Sequence, residues 1–141
     1  WSSDVCSSDL FVSTGCVACH RGPLLGGDSF QKFGVHKDYW LATGSKTIDT
    51  GRFAATKKEE DKYVYRVPML RNVTKTAPYF HDGSVDTIEQ AVRVMAEVQL
   101  GRTLPQQDVQ DIVAFLESLA GAIPGHYSPP ASLVAAGAAA R

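Results

Sequence analysis

Residues 15 to 22 read GCVACHRG, with Cys16 and Cys19 three positions apart and His20 directly after them. On a helical turn this spacing carries two thiols to the two vinyl groups of one haem, and the adjacent imidazole falls on the iron from the same side. The pattern assigns Cys16 and Cys19 to thioether bonds and His20 to the proximal iron position. A structural zinc site would ask for two more ligands at compatible spacing, and no second cysteine pair occurs. One motif implies one haem c, and Cys6 is left over.

What such an iron does depends on its other face. An open sixth position admits peroxide or oxygen, whereas a methionine thioether fills it and raises the reduction potential, which suits electron transfer. The candidates are His36, His81, His126, Met69 and Met95. His126 falls in a Pro- and Ala-rich tail, and Met69 sits in an extended segment where a methionine more often fills a core. Met95 lies on the inward stripe of a helix, far enough along the chain from His20 for the polypeptide to wrap a haem between them. Core packing is its competing role. His81, within PYFHDG, could ligate iron or hydrogen-bond a haem propionate. The residues favour Met95 and leave His81 open.

The elements that must position these groups follow from local pattern. LFVSTGCVACH is predicted to form a short helical turn, and RGPLLGGDSFQKFGV a Gly-rich loop around the haem edge. Residues 36–52 are expected to be irregular, RFAATKKEEDKYV a short exposed helix, and YRVPMLRNVTKTAPYFHDGS extended, broken by Pro68, Pro78 and Gly83. VDTIEQAVRVMAEVQLG carries a capping box at Thr87 and Gln90, a stop at Gly101 and a stripe of Ile88, Ala91, Val92, Met95 and Val98. A second helix starts at Pro105, buries Val109, Ile112, Val113, Leu116 and Leu119, and ends at Gly121.

These elements predict an all-α, cytochrome c-like domain over residues 10–121, with one attached haem and extended irregular loops. Residues 1–9, from the aperiodic WSSDVCSSDL, look like a translated adaptor remnant or a frayed end and are expected to be non-native or disordered. Residues 122–141 are expected to be a flexible tail. The chain is 141 residues long, which fits one domain. Its 14 basic against 15 acidic residues give a net charge of -1, so nothing points to nucleic acid or anionic lipid. No apolar run approaches the roughly 18 residues of a membrane span. Covalent haem attachment implies export, hence a periplasmic setting, although no leader pattern is visible in residues 1–9.

The blocks GCVACHRGPLLGGDSFQKFGV, GRFAATK, YVYRVPMLRNVTKTAPYFHDGSVDTIEQAVRVMAEVQLG and IVAFLESLAG together resemble the C-terminal haem domain of the bacterial di-haem cytochrome c peroxidases, the family that includes MauG. The resemblance covers residues 10 to 121. It implies a high-potential, electron-accepting haem held by His20 and by the methionine matching Met95; MauG-like members have tyrosine at that position. It also implies an interdomain calcium, with main-chain oxygens at Thr76 and Pro78 as two of its ligands. Two carbonyls are too few for a complete site. Peroxide would be reduced at a second haem in an N-terminal domain absent here, so the chain is expected to be N-terminally truncated, with no catalytic residue of its own.

The function expected is electron transfer within a di-haem peroxidase: electrons arrive from a small cytochrome c or cupredoxin and pass to the peroxidatic haem, which reduces hydrogen peroxide to water. A free-standing monohaem cytochrome c is the alternative, and a peroxidase acting through an open distal site on this haem is a third reading. Arg21 and Leu24 to Gly27 could line a donor-docking surface or be plain loop residues. The resemblance also implies a homodimer.

Overall fold

A computed structural model describes residues 7–122. Two helices of 13 residues dominate it, where apolar residues recur at helical spacing: α4 (Ile88–Leu100) and α5 (Gln106–Ser118). The Thr87 hydroxyl accepts from the Gln90 amide at 3.3 Å and so caps α4, while Gly101, in the left-handed region with φ 62°, closes it. Helix α5 follows Pro105 and is capped by Leu119, two residues before the expected Gly121.

Upstream lie α1 (Ser7–Ser13), α2 (Tyr39–Thr43) and α3 (Phe53–Thr56), with 3-10 turns at Cys16–Ala18, Glu59–Asp61 and Val73–Lys75. Strands β1 (Phe30–Lys32) and β2 (Val64–Arg66) pair antiparallel, with Phe30 opposite Arg66 and Lys32 opposite Val64. That ribbon corrects the all-α expectation. Strands of three residues show no readable alternation, and β1 is exposed along its whole length, so neither announces itself by a buried face. The Arg52 guanidinium lies 5.3 Å from the Phe30 ring centroid and covers part of it.

The principal core joins the two ends of the described chain. Phe11 of α1 packs with Ala96 of α4, Leu70, Leu104, and Val109, Ile112, Val113 and Leu116 of α5. The Phe11 and Phe115 rings meet with centroids 4.8 Å apart. A smaller cluster of Tyr79, Val85 and Ala91 lies at the start of α4. Helix α4 is therefore gripped on two sides, and its buried residues are Ala91, Val94, Ala96 and Val98. Ile88, Val92 and Met95, expected within one buried stripe, are half-buried instead. A single-stripe reading assumes one neighbour, and α4 has more than one.

An aromatic cluster occupies the stretch expected to be irregular. Tyr39, 0% exposed, packs its ring against Phe33 (4.8 Å), Trp40 (5.1 Å) and His81 (5.2 Å). Its hydroxyl is 2.9 Å from both the carbonyl and the amide of Asp49, so it donates to one and accepts from the other. Helix α2 is five residues long, too short to show a period.

Residues 7–9 open α1, whereas residues 1–6, including Cys6, lie outside the described residues, as do residues 123–141 with His126. Replacing Ile112, 2% exposed, by Ala should lower the unfolding free energy by about 2–5 kcal/mol in denaturant titration. A loss below about 1 kcal/mol would show that the core closes around the gap.

Candidate haem-binding site

The turn that carries the thiols is built by backbone hydrogen bonds. The Ala18 amide donates to the Gly15 carbonyl at 3.1 Å, and the Cys19 and His20 amides both donate to the Cys16 carbonyl, at 3.3 and 3.0 Å. Cys16, Cys19 and His20 are half-buried, and neither cysteine forms a disulfide. Cys16 packs against the principal core, and its Sγ lies 3.4 Å from the Thr14 hydroxyl. Burial pushes the Cys16 thiol up, with the Thr14 hydroxyl opposing it.

His20 is held through one ring nitrogen. Its Nδ1 is 3.2 Å from the Leu25 carbonyl oxygen, and since a carbonyl only accepts, Nδ1 carries the proton and Nε2 keeps its lone pair. Burial holds the imidazole below its ordinary pKa, against the pull of the Leu25 and Pro68 carbonyls. A neutral ring fixed at Nδ1 is the form that binds a metal through Nε2.

Gly26 makes this arrangement possible. It sits at φ 127°, and a Cβ there would come within 2.2 Å of the Pro68 carbonyl oxygen and 3.4 Å of His20 Nδ1. The loop after His20 is then pinned to the segment from Arg66 onward: the Gly27 amide donates to the Val67 carbonyl at 2.9 Å, the Leu70 amide to the Leu24 carbonyl at 3.2 Å, and Arg66 Nε and Nη2 to the Gly27 carbonyl at 2.9 and 2.5 Å. The sequence marks Leu25 and Gly26 only as candidate donor-docking loop residues and Pro68 only as a break in an extended segment, and gives none of the three a part in holding His20. The paired glycines of GPLLGG were the available signal for a close backbone approach.

Met95 is on α4, and the end of that helix meets the cysteine turn. Leu100 Cδ2 lies 3.6 Å from where a Gly15 Cβ would be, and Arg102 Nη1 is 3.5 Å from the Thr14 carbonyl oxygen. Three of the other sixth-position candidates lie within the described residues. Met69, 51% exposed, rests on Gly27 in the loop that follows His20. The His36 ring lies against Gly101. His81 is exposed and stacks on Tyr65 with centroids 4.4 Å apart. Thr76 and Pro78 are exposed and follow the Val73–Lys75 turn. Among the described residues, no group of three or more His, Cys, Asp or Glu side chains could hold a metal ion.

The chain is 46% identical over 121 residues to a cytochrome c551 peroxidase of Nitrosomonas europaea, an alignment covering 86% of this chain and 35% of that protein. It is 50% identical over 112 residues to a cytochrome c peroxidase of Escherichia coli, covering 79% and 24%. The chain belongs to the bacterial cytochrome c peroxidase family. It spans about a third or less of these two relatives. No protein-family model matches it. The fold resembles the crystal structure of a MauG-like protein associated with microbial copper homeostasis, with a TM-score of 0.67 at 23% identity over 88% of this chain and 49% of the other.

Membership in the peroxidase family implies a haem c cofactor, and the donor set here fits one: two free thiols at the attachment spacing and an imidazole held through Nδ1 with Nε2 to spare. Gly26→Ala should cost about 1–3 kcal/mol in thermal unfolding, because the left-handed backbone and the Pro68 carbonyl both resist a side chain. It should also shift the His20 ring resonances in NMR, and unchanged resonances would show that the carbonyl contacts do not depend on Gly26.

Proposed function

We propose that this chain is the electron-accepting haem domain of a di-haem cytochrome c peroxidase. The observation that carries the reading is the setting of His20: a half-buried imidazole whose Nδ1 lies 3.2 Å from the Leu25 carbonyl, leaving Nε2 for iron. Cys16 and Cys19 would form the two thioethers, His20 the proximal bond and Met95 the distal one. A haem c so held supplies a one-electron Fe(III)/Fe(II) couple.

The roles of the residues follow from that. Cys16 and Cys19 would keep the porphyrin from leaving, and the Leu25 carbonyl, which fixes the His20 tautomer, would strengthen its donation to iron. The Met95 thioether would exclude peroxide and raise the potential. Keeping His20 and Met95 bound in either oxidation state would limit rearrangement on transfer. Electrons would come one at a time from a small cytochrome c or cupredoxin. They would pass to a second haem in an N-terminal domain, where two electrons and two protons convert hydrogen peroxide to two waters. The setting would be periplasmic, and the Thr76 and Pro78 carbonyls would contribute to a calcium completed by that other domain. The described helices include none long and apolar enough to cross a membrane.

Absorption and magnetic circular dichroism of the haem-loaded, oxidised chain test this. The spectrum should contain a methionine-to-iron charge-transfer band, and Met95→Ala should abolish it, lower the midpoint potential and admit small ligands. An unchanged band and potential in Met95→Ala would refute the assignment. Separately, Cys16→Ser with Cys19→Ser should leave no haem attached after denaturing extraction, and retained covalent haem would exclude these thiols as the attachment points.

A further inference from the structure

The last turn of α4 is tied, residue by residue, to the segment running from β1 to α2. Lys37 Nζ lies 2.5 Å from Glu97 Oε1, and the His36 amide donates to the Val98 carbonyl at 2.9 Å. Gln99 does more. Its Oε1 accepts from the Gly34 amide at 2.6 Å and from the Val35 amide at 3.4 Å, and its Nε2 donates to the Lys32 carbonyl at 3.0 Å.

These three ties are not equivalent. The Lys37–Glu97 pair is exposed on both sides, and such pairs contribute little. The His36 bond uses main-chain atoms that any residue there would offer. Gln99 alone among the three spends a side-chain amide as acceptor and donor together, on a segment 64 to 67 residues away in sequence. Gln99 is also four residues beyond Met95, so both side chains leave the same face of α4 one turn apart.

The segment that Gln99 holds is itself anchored. Phe33 within it stacks on Tyr39 at 4.8 Å and meets the edge of His81 at 6.3 Å. On its other flank α4 is set by Ala96, with Ile88 and Val92, against the α5 core. The rotation of α4 about its axis is thus set by a mainly apolar seam, joined near its middle by the Arg93–Gln106 hydrogen bond, on one side and by the polar Gln99 seam at its last turn on the other.

We infer that Gln99 is a positioning residue for Met95, holding the α4 turn at the rotation that keeps the thioether on the iron. The inference rests on the reading of Met95 as the sixth ligand. A neutral thioether is a weak ligand, and its retention depends on the surrounding structure keeping its sulfur in place. Loss of the Gln99 bonds lets the last turn of α4 rotate or fray without opening the apolar core.

The test uses the haem-loaded chain as wild type, Gln99→Ala, Gln99→Glu and Met95→Ala. The readouts are the methionine-to-iron band, the midpoint potential and imidazole affinity in the oxidised state. Gln99→Ala should weaken the band, lower the potential and bind imidazole about tenfold more tightly. Gln99→Glu, which still accepts from the Gly34 and Val35 amides, should recover most of the band. A Gln99→Ala protein that unfolds more easily yet keeps the wild-type band, potential and imidazole affinity would overturn the inference and leave Gln99 a structural residue only. Absence of the band from wild type would instead refute the reading of Met95, and this inference would fall with it.

Discussion

The bond between His20 Nδ1 and the Leu25 carbonyl is the constraint on which the site depends. It selects one tautomer and one ring orientation, and it does so with a main-chain atom that cannot change its protonation. A carbonyl can face an imidazole five residues away only if the loop folds back tightly. That fold-back needs a residue without a side chain at Gly26, where the Pro68 carbonyl also closes in. Arg66, Val67 and Leu70 then hold the loop against β2 and the segment beyond it. The exposed ribbon β1–β2 therefore serves the site indirectly: it fixes the strand whose exit supplies the second carbonyl.

Much of this organisation was legible in the sequence where chemistry or long periodicity spoke. The C-x-x-C-H spacing, the Thr87 cap, the Gly101 stop and the apolar face of α5 each have a local physical cause that needs no knowledge of the fold. What stayed hidden depends on pairing across the chain. The three-residue strands are defined by each other, and Tyr39 is buried because Tyr63, Tyr65 and His81 from distant positions join its neighbours Phe33 and Trp40 around it. The half-burial of Met95 is of the same kind, because a helix wheel shows which residues share a face but not how many neighbours that face meets.

Polar and apolar forces divide the work around α4. Its contact with α5 is mainly apolar and non-directional, with one directional tie from Arg93 to Gln106, so most of it resists separation more than sliding. The contact with Lys32 to Val35 runs through hydrogen bonds, whose strength falls steeply with misalignment. The first seam holds the helix in the domain, and the second sets its register.

The meeting of Phe11 with Phe115 has a consequence for the order of assembly. Helix α1 has seven residues, too few to persist alone in water, so it is stabilised chiefly by a helix made last. In a chain appearing from its N-terminus, Cys16 emerges long before α5 exists to complete the core it packs against, so the first wall of the cysteine turn is built from the last helix of the described domain.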